Sequence, residues 1–106
     1  HEGQEALAKR LSFEEIVAIV ERVKGERWAE FRDRYGDWGR DLVLWAGWRY
    51  AGLSLKVLGE KVGGVDYATV ASSLRRLEAK ARRDRSLRVA RKRVLAQCTM
   101  QRYVPK

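Results

Sequence analysis

Apolar side chains recur along this chain with the period of a helix, and glycines rather than prolines interrupt them. Phe13, Ile16, Val17, Val20 and Val23 mark one face of a first helix, because residues three and four apart lie above one another on an α-helix. Ser12-Phe13-Glu14-Glu15 opens it as a capping box, with Leu11 and Ile16 as the accompanying hydrophobic staple. Lys24-Gly25 closes it with a cation in the last turn and a residue able to adopt positive φ. A short second helix over 26–34 places Trp28, Phe31 and Tyr35 on one side, and Gly36 ends it. The third, over 37–51, is apolar nearly all round through Trp38, Leu42, Val43, Leu44, Trp45, Trp48 and Tyr50. Such a helix is the buried centre of a bundle. Its three tryptophans also permit a stacking platform for single-stranded bases, but their spacing follows the buried helix and favours core packing.

From Gly52 onward the elements shorten. Ser54 caps a helix whose Leu55, Leu58 and Val62 share a face, and Gly63-Gly64 breaks it. Asp66 starts a longer helix with Val70, Leu74, Leu77 and Ala81 on one side. Two helices joined by a glycine-containing turn have the layout of a helix-turn-helix. The far side of the second carries Ala68, Ser72, Arg75, Arg76, Ala79 and Arg83, with Thr69 at its margin. Asp84 reads as another N-cap, after which a last helix packs Leu87, Ala90 and Val94 inward and turns Arg88, Lys92 and Arg93 outward. Beyond Gln97 the pattern fades. The expected fold is therefore all-α, a compact bundle of about six helices containing a helix-turn-helix. Residues 12–97 form the domain, 1–11 an extension or tag remnant, and 98–106 a tail.

The 106 residues suffice for one core. No apolar run approaches the roughly 18 residues of a membrane span, and His1-Glu2-Gly3-Gln4 has none of the features of a signal peptide. Cys98 and His1 are each the sole residue of their kind, so an internal disulfide, a zinc finger and a two-histidine metal centre are excluded. No cofactor or metal is expected.

The net charge of +9 is unevenly placed. Residues 1–74 sum to −1, whereas 75–93 hold ten basic side chains against Glu78 and Asp84. Eight of the ten are arginines, whose planar fork matches phosphates and guanine edges. A face this one-sided repels itself unless a polyanion neutralises it. Charge and layout thus place a DNA partner at the same element. Phosphates position a protein and bases specify its site. Arg40, Ser54, Lys56, Arg75, Arg76, Arg82 and Arg83 are the candidate phosphate contacts, and Asp66, Tyr67, Ala68, Thr69 and Ser72 the candidate base-reading residues. Asp66 either caps its helix or accepts from a cytosine amino group. Tyr67 either packs or meets a thymine methyl. Thr69 offers a methyl to thymine or a hydroxyl to phosphate.

At Gly52-Leu53-Ser54-Leu55, Gly63-Gly64-Val65-Asp66-Tyr67-Ala68-Thr69-Val70 and Arg75-Arg76-Leu77-Glu78, the sequence resembles the C-terminal DNA-binding domain of the bacterial replication initiator DnaA. That family implies a Trp-repressor-like helical fold with a recognition helix in the major groove, its contacts clustered at Asp66, Tyr67, Ala68 and Thr69. The chain departs from the family in having Val65 and Tyr67 where a basic residue and a histidine are usual. The family's minor-groove arginine lies in the loop before the third helix, where Arg40 is a stand-in. Gly25-Glu26-Arg27-Trp28, Gly36-Asp37-Trp38-Gly39-Arg40-Asp41 and Gly63-Gly64-Val65-Asp66-Tyr67 resemble more closely the accessory domain of REP-associated tyrosine transposases of the IS200-like class. This second resemblance implies a bacterial cytoplasmic protein at the nucleoid, with a catalytic domain N-terminal to this one. Such nucleases need two histidines for a metal and a tyrosine nucleophile. The histidine pair is missing here, so the domain is expected to bind duplex or hairpin DNA without being an enzyme on its own. The rival readings are a replication or transcription regulator, an RNA-binding module and a helical protein-interaction module.

Overall fold

The structure, a computed structural model, describes residues 6–105, with side chains over 9–103. The expectation for His1 and its neighbours, a tag remnant, lies outside the described residues. Six helices make up an all-α fold: α1 (Phe13–Lys24), α2 (Trp28–Phe31), α3 (Gly39–Tyr50), α4 (Leu55–Lys61), α5 (Tyr67–Arg83) and α6 (Arg85–Arg102). Two three-residue strands, β1 (Ala6–Ala8) and β2 (Tyr103–Pro105), pair antiparallel and bring the two ends together.

The N-terminus of α1 is built as its sequence predicts. Ser12 Oγ accepts from the Glu15 N–H at 3.0 Å, and the Glu15 carboxylate accepts from the Ser12 N–H at 2.8 Å. Both halves of the box satisfy donors that a helix start leaves orphaned, and the bond from Ser12 holds the Glu15 carboxyl below its ordinary range. Leu11 and Ile16, the staple, are both buried.

Helix α3 is the centre of the bundle, with nine of its twelve residues buried. It packs against α1, α4, α5 and α6. Trp45 is buried and meets Tyr50 edge to face at 6.3 Å, while Trp38 is partly buried against the core. Trp48 departs from the core-packing expectation, since half of it is exposed.

Two expectations need correction. The second helix is one turn, Trp28–Phe31, rather than 26–34. No side chain caps it at Arg27; the Trp28 N–H instead donates to Glu21 Oε2 on α1 at 2.7 Å, and Phe31 enters the core. Tyr35 consequently lies beyond the helix, wholly exposed, instead of on its packed side. The last helix does not stop at Gln97, and residues 98–102 are not a tail. Cys98 continues the spacing of Leu87, Ala90 and Val94, and it is fully buried. A thiol packs like a small apolar group, and burial pushes its pKa up to about 11. Gln97 accepts from Arg22 at 3.1 Å, Gln101 donates to Glu15 at 3.2 Å, and the Lys9 N–H bonds the Arg102 carbonyl. Both ends of the described chain therefore belong to the folded unit.

Candidate nucleic-acid interface

Between α4 and α5 the chain reverses in a turn that only glycines permit. Gly63 and Gly64 have φ of 117° and 87°, a region that a Cβ disfavours. The N–H groups of Gly64 and Val65 both donate to the Gly59 carbonyl, at 2.9 and 3.0 Å. Gly59, inside α4, is buried, and any Cβ on it would collide with the Val65 carbonyl oxygen. Its role in closing the turn is not apparent from helical periodicity. The signal lay in its spacing, one helical turn ahead of the glycine pair.

Each helix of the pair has a side-chain cap. Ser54 Oγ accepts from the Val57 N–H at 3.2 Å, and Asp66 Oδ1 accepts from the Thr69 N–H at 2.8 Å. The Thr69 backbone bond holds the Asp66 carboxyl below the usual carboxylate range. Capping is thus one function of Asp66 in this structure. Asp66, Tyr67, Ala68, Thr69 and Ser72 are all exposed, and they lie together on the first two turns of α5. Tyr67 is 65% exposed, so packing is not its role. Ser54 and Lys56 are exposed at the start of α4, which packs on α5.

The arginines divide. Arg76 clamps the buried Asp41 with two nitrogens, at 3.2 and 3.3 Å, and donates to Ser73 Oγ at 3.1 Å. It ties α5 to α3 and is less available to a phosphate than its sequence position suggested, although its side chain is more than half exposed. Arg75 bonds the neutral hydroxyl of Ser72 at 3.1 Å and pairs with no carboxylate among the described residues. On α6, Arg88 donates to the carbonyls of Ala81 and Arg82, filling acceptors at the C-terminus of α5. Arg91 pairs with Glu78 at 2.8 Å and stands 5.7 Å from the Trp45 ring centre. Lys80, Arg82, Arg83, Arg85, Lys92 and Arg93 have no hydrogen-bonded or ionic side-chain partner among the described residues.

Arg40 lies apart from the first turns of α5. It lines a groove of about 530 Å³ between the α2–α3 loop and the C-terminal half of α5, shared with Tyr35, Trp38, Arg76, Lys80 and Arg83. The loop is held by four interlocked charges. Lys24 Nζ contacts Glu26 at 2.7 Å and Asp37 at 3.1 Å, and Arg34 contacts the same two carboxylates at 2.7 and 2.8 Å. Arg34 first and Lys24 second lower the Glu26 pKa from 4.5 to about 2. Lys24 also stands 5.0 and 4.8 Å from the ring centres of Phe31 and Trp38, within cation–π range. Asp37 Oδ1 accepts from the Gly39 N–H at 2.7 Å as α3 begins. Lys80 and Tyr35 are the candidate contacts that sequence reasoning did not assign; Tyr35-Gly36, at a tight turn, was the available signal.

Among the described residues, no group of three or more histidine, cysteine, aspartate or glutamate side chains is arranged to hold a metal ion, and no helix is long and apolar enough to cross a membrane. Compared with protein-family models, curated proteins and solved structures, the chain matches none.

Proposed function

We propose that this domain binds duplex or hairpin DNA through α4, the glycine turn and α5, reading bases with the first two turns of α5 and phosphates with the cations around it. The observation that carries this reading is the division of one exposed helix face. Its start has small or neutral side chains, Ala68, Thr69 and Ser72, beside Tyr67, and its end has Arg82 and Arg83, with the half-buried Lys80 at its margin. An α-helix of this width enters the major groove of B-DNA, and small side chains let its backbone approach base edges. Ser54, Lys56 and Arg75 flank the same face, and with Arg40, beside the C-terminal half of α5, they supply further phosphate contacts. Arg76 serves chiefly to hold α5 in place.

The likeness to the DnaA C-terminal domain, and to the accessory domain of REP-associated tyrosine transposases, agrees with this assignment. On that analogy the domain is the binding end of a bacterial protein whose phosphodiester chemistry belongs to an N-terminal catalytic domain. Fluorescence anisotropy across a salt series tests the proposal. Affinity for duplex DNA should fall with a log–log slope of about −5 for roughly six neutralised phosphates, and a slope near zero would overturn the reading.

A further inference from the structure

The groove beside the C-terminal half of α5 sets an aromatic ring next to its cations, and paired DNA would not use that ring. Tyr35 is wholly exposed on a loop whose ends are fixed by the Lys24, Arg34, Glu26 and Asp37 ion pairs. Its backbone is therefore held at the rim of the groove, and its ring takes no part in the core. The three carboxylates lining the groove are each engaged: Asp33 by Arg32, Asp37 by Lys24 and Arg34, and Asp41 by Arg76. Lys80 and Arg83 line the same groove with no such partner among the described residues, and Arg40 makes no ion pair there although its charge reaches Asp33, which leaves the groove an excess of positive charge. An aromatic face beside unpaired cations suits a nucleotide, ring on ring and phosphate on cation. The bases of a duplex are already stacked and paired, so only a base outside the helix gains from this ring.

We infer that the groove is a site for an unpaired nucleotide adjoining the duplex, its base stacked on Tyr35 and its phosphates held by Arg40, Lys80 and Arg83. The inference rests on the DNA-binding reading and adds a ligand class to it, DNA carrying a bulged or loop nucleotide next to a stem.

The test uses the full chain and two DNAs with one stem, one perfectly paired and one with a single unpaired 2-aminopurine placed at successive positions along the stem. At one position the unpaired base should tighten binding roughly five- to 150-fold, the range expected of one stacked base, and its fluorescence should be quenched. Tyr35→Ala should abolish both the gain and the quenching while leaving affinity for the paired stem unchanged, and Tyr35→Phe should retain both. An unpaired base that adds nothing at any position, or a gain that survives Tyr35→Ala, overturns this inference and leaves duplex binding standing. Failure of both DNAs to bind overturns the DNA-binding reading and this inference with it.

Discussion

Helices α5 and α6 divide the basic run evenly, with Arg75, Arg76, Lys80, Arg82 and Arg83 on one and Arg85, Arg88, Arg91, Lys92 and Arg93 on the other. Their charges are used differently. Within α6, Arg88 and Arg91 turn toward α5, one onto its terminal carbonyls and the other onto Glu78. Glu78 is the sole acidic residue of α5, so Arg91 neutralises the one side chain that would repel a phosphate. Within α5, Arg76 is directed to α3, Lys80 lines the groove beside it, and Arg75, Arg82 and Arg83 face outward. A count of basic residues therefore overstates the charge offered to a ligand, and one helix supports the electrostatics of the other.

The largest effect should come from removing the geometry on which the comparison rests. Gly59→Ala places a methyl against the Val65 carbonyl, and a backbone oxygen in a two-glycine turn has little room to yield. Overpacking of this kind costs about 1–3 kcal/mol, to be read from the midpoint of denaturant unfolding, and DNA affinity should fall with it. Next, the two halves of α5 should fail in different ways. Tyr67→Ala with Thr69→Ala should lose sequence preference, by about 1–3 kcal/mol where a good base contact is removed. Arg82→Ala with Arg83→Ala should weaken every sequence alike and make the salt slope shallower by about two. Site selection and salt titration on both double variants separate these outcomes, and equal loss of preference in both would break the division.

A smaller effect isolates the support that α6 gives. Arg91→Ala should cost no more than about 1 kcal/mol of stability, because the pair is partly exposed, yet weaken DNA binding about two- to fivefold by freeing Glu78 to repel phosphate. Adding Glu78→Gln should restore the affinity; if it does not, Arg91 contacts DNA itself. The smallest effect concerns the loop. Glu26 has a lower pKa folded, about 2, than its ordinary 4.5, so its contribution to stability is complete above pH 4.5 and is lost as pH falls toward 2. Glu26→Gln should be less stable than wild type at pH 7, and the gap should close between pH 4.5 and 2 in chemical denaturation. A gap independent of pH would remove the ion pairs as the loop's anchor.

Local signals along the chain carried the elements. The Ser12, Ser54, Asp66 and Asp84 caps each hold the helix start expected of them, since a cap needs only a polar oxygen and the N–H groups of the next turn. The apolar periods placed α1, α3 and α5 for the same reason, and α3 was recognisable as the central helix by its lack of a polar face. Tertiary structure decided what depends on contacts distant in sequence. It joined Arg76 to Asp41, 35 positions apart, and Gln101 to Glu15, 86 apart, extended α6 to Arg102 by burying Cys98, and closed the fold through the strand pair at its ends. It left Tyr35 exposed by ending α2 at Phe31 and brought Arg40 beside Lys80 and Arg83. Periodicity records which face of a helix is apolar. Which arginine meets a carboxylate and which is left for a ligand depends on the partner that packing brings within reach, and no local pattern encodes that.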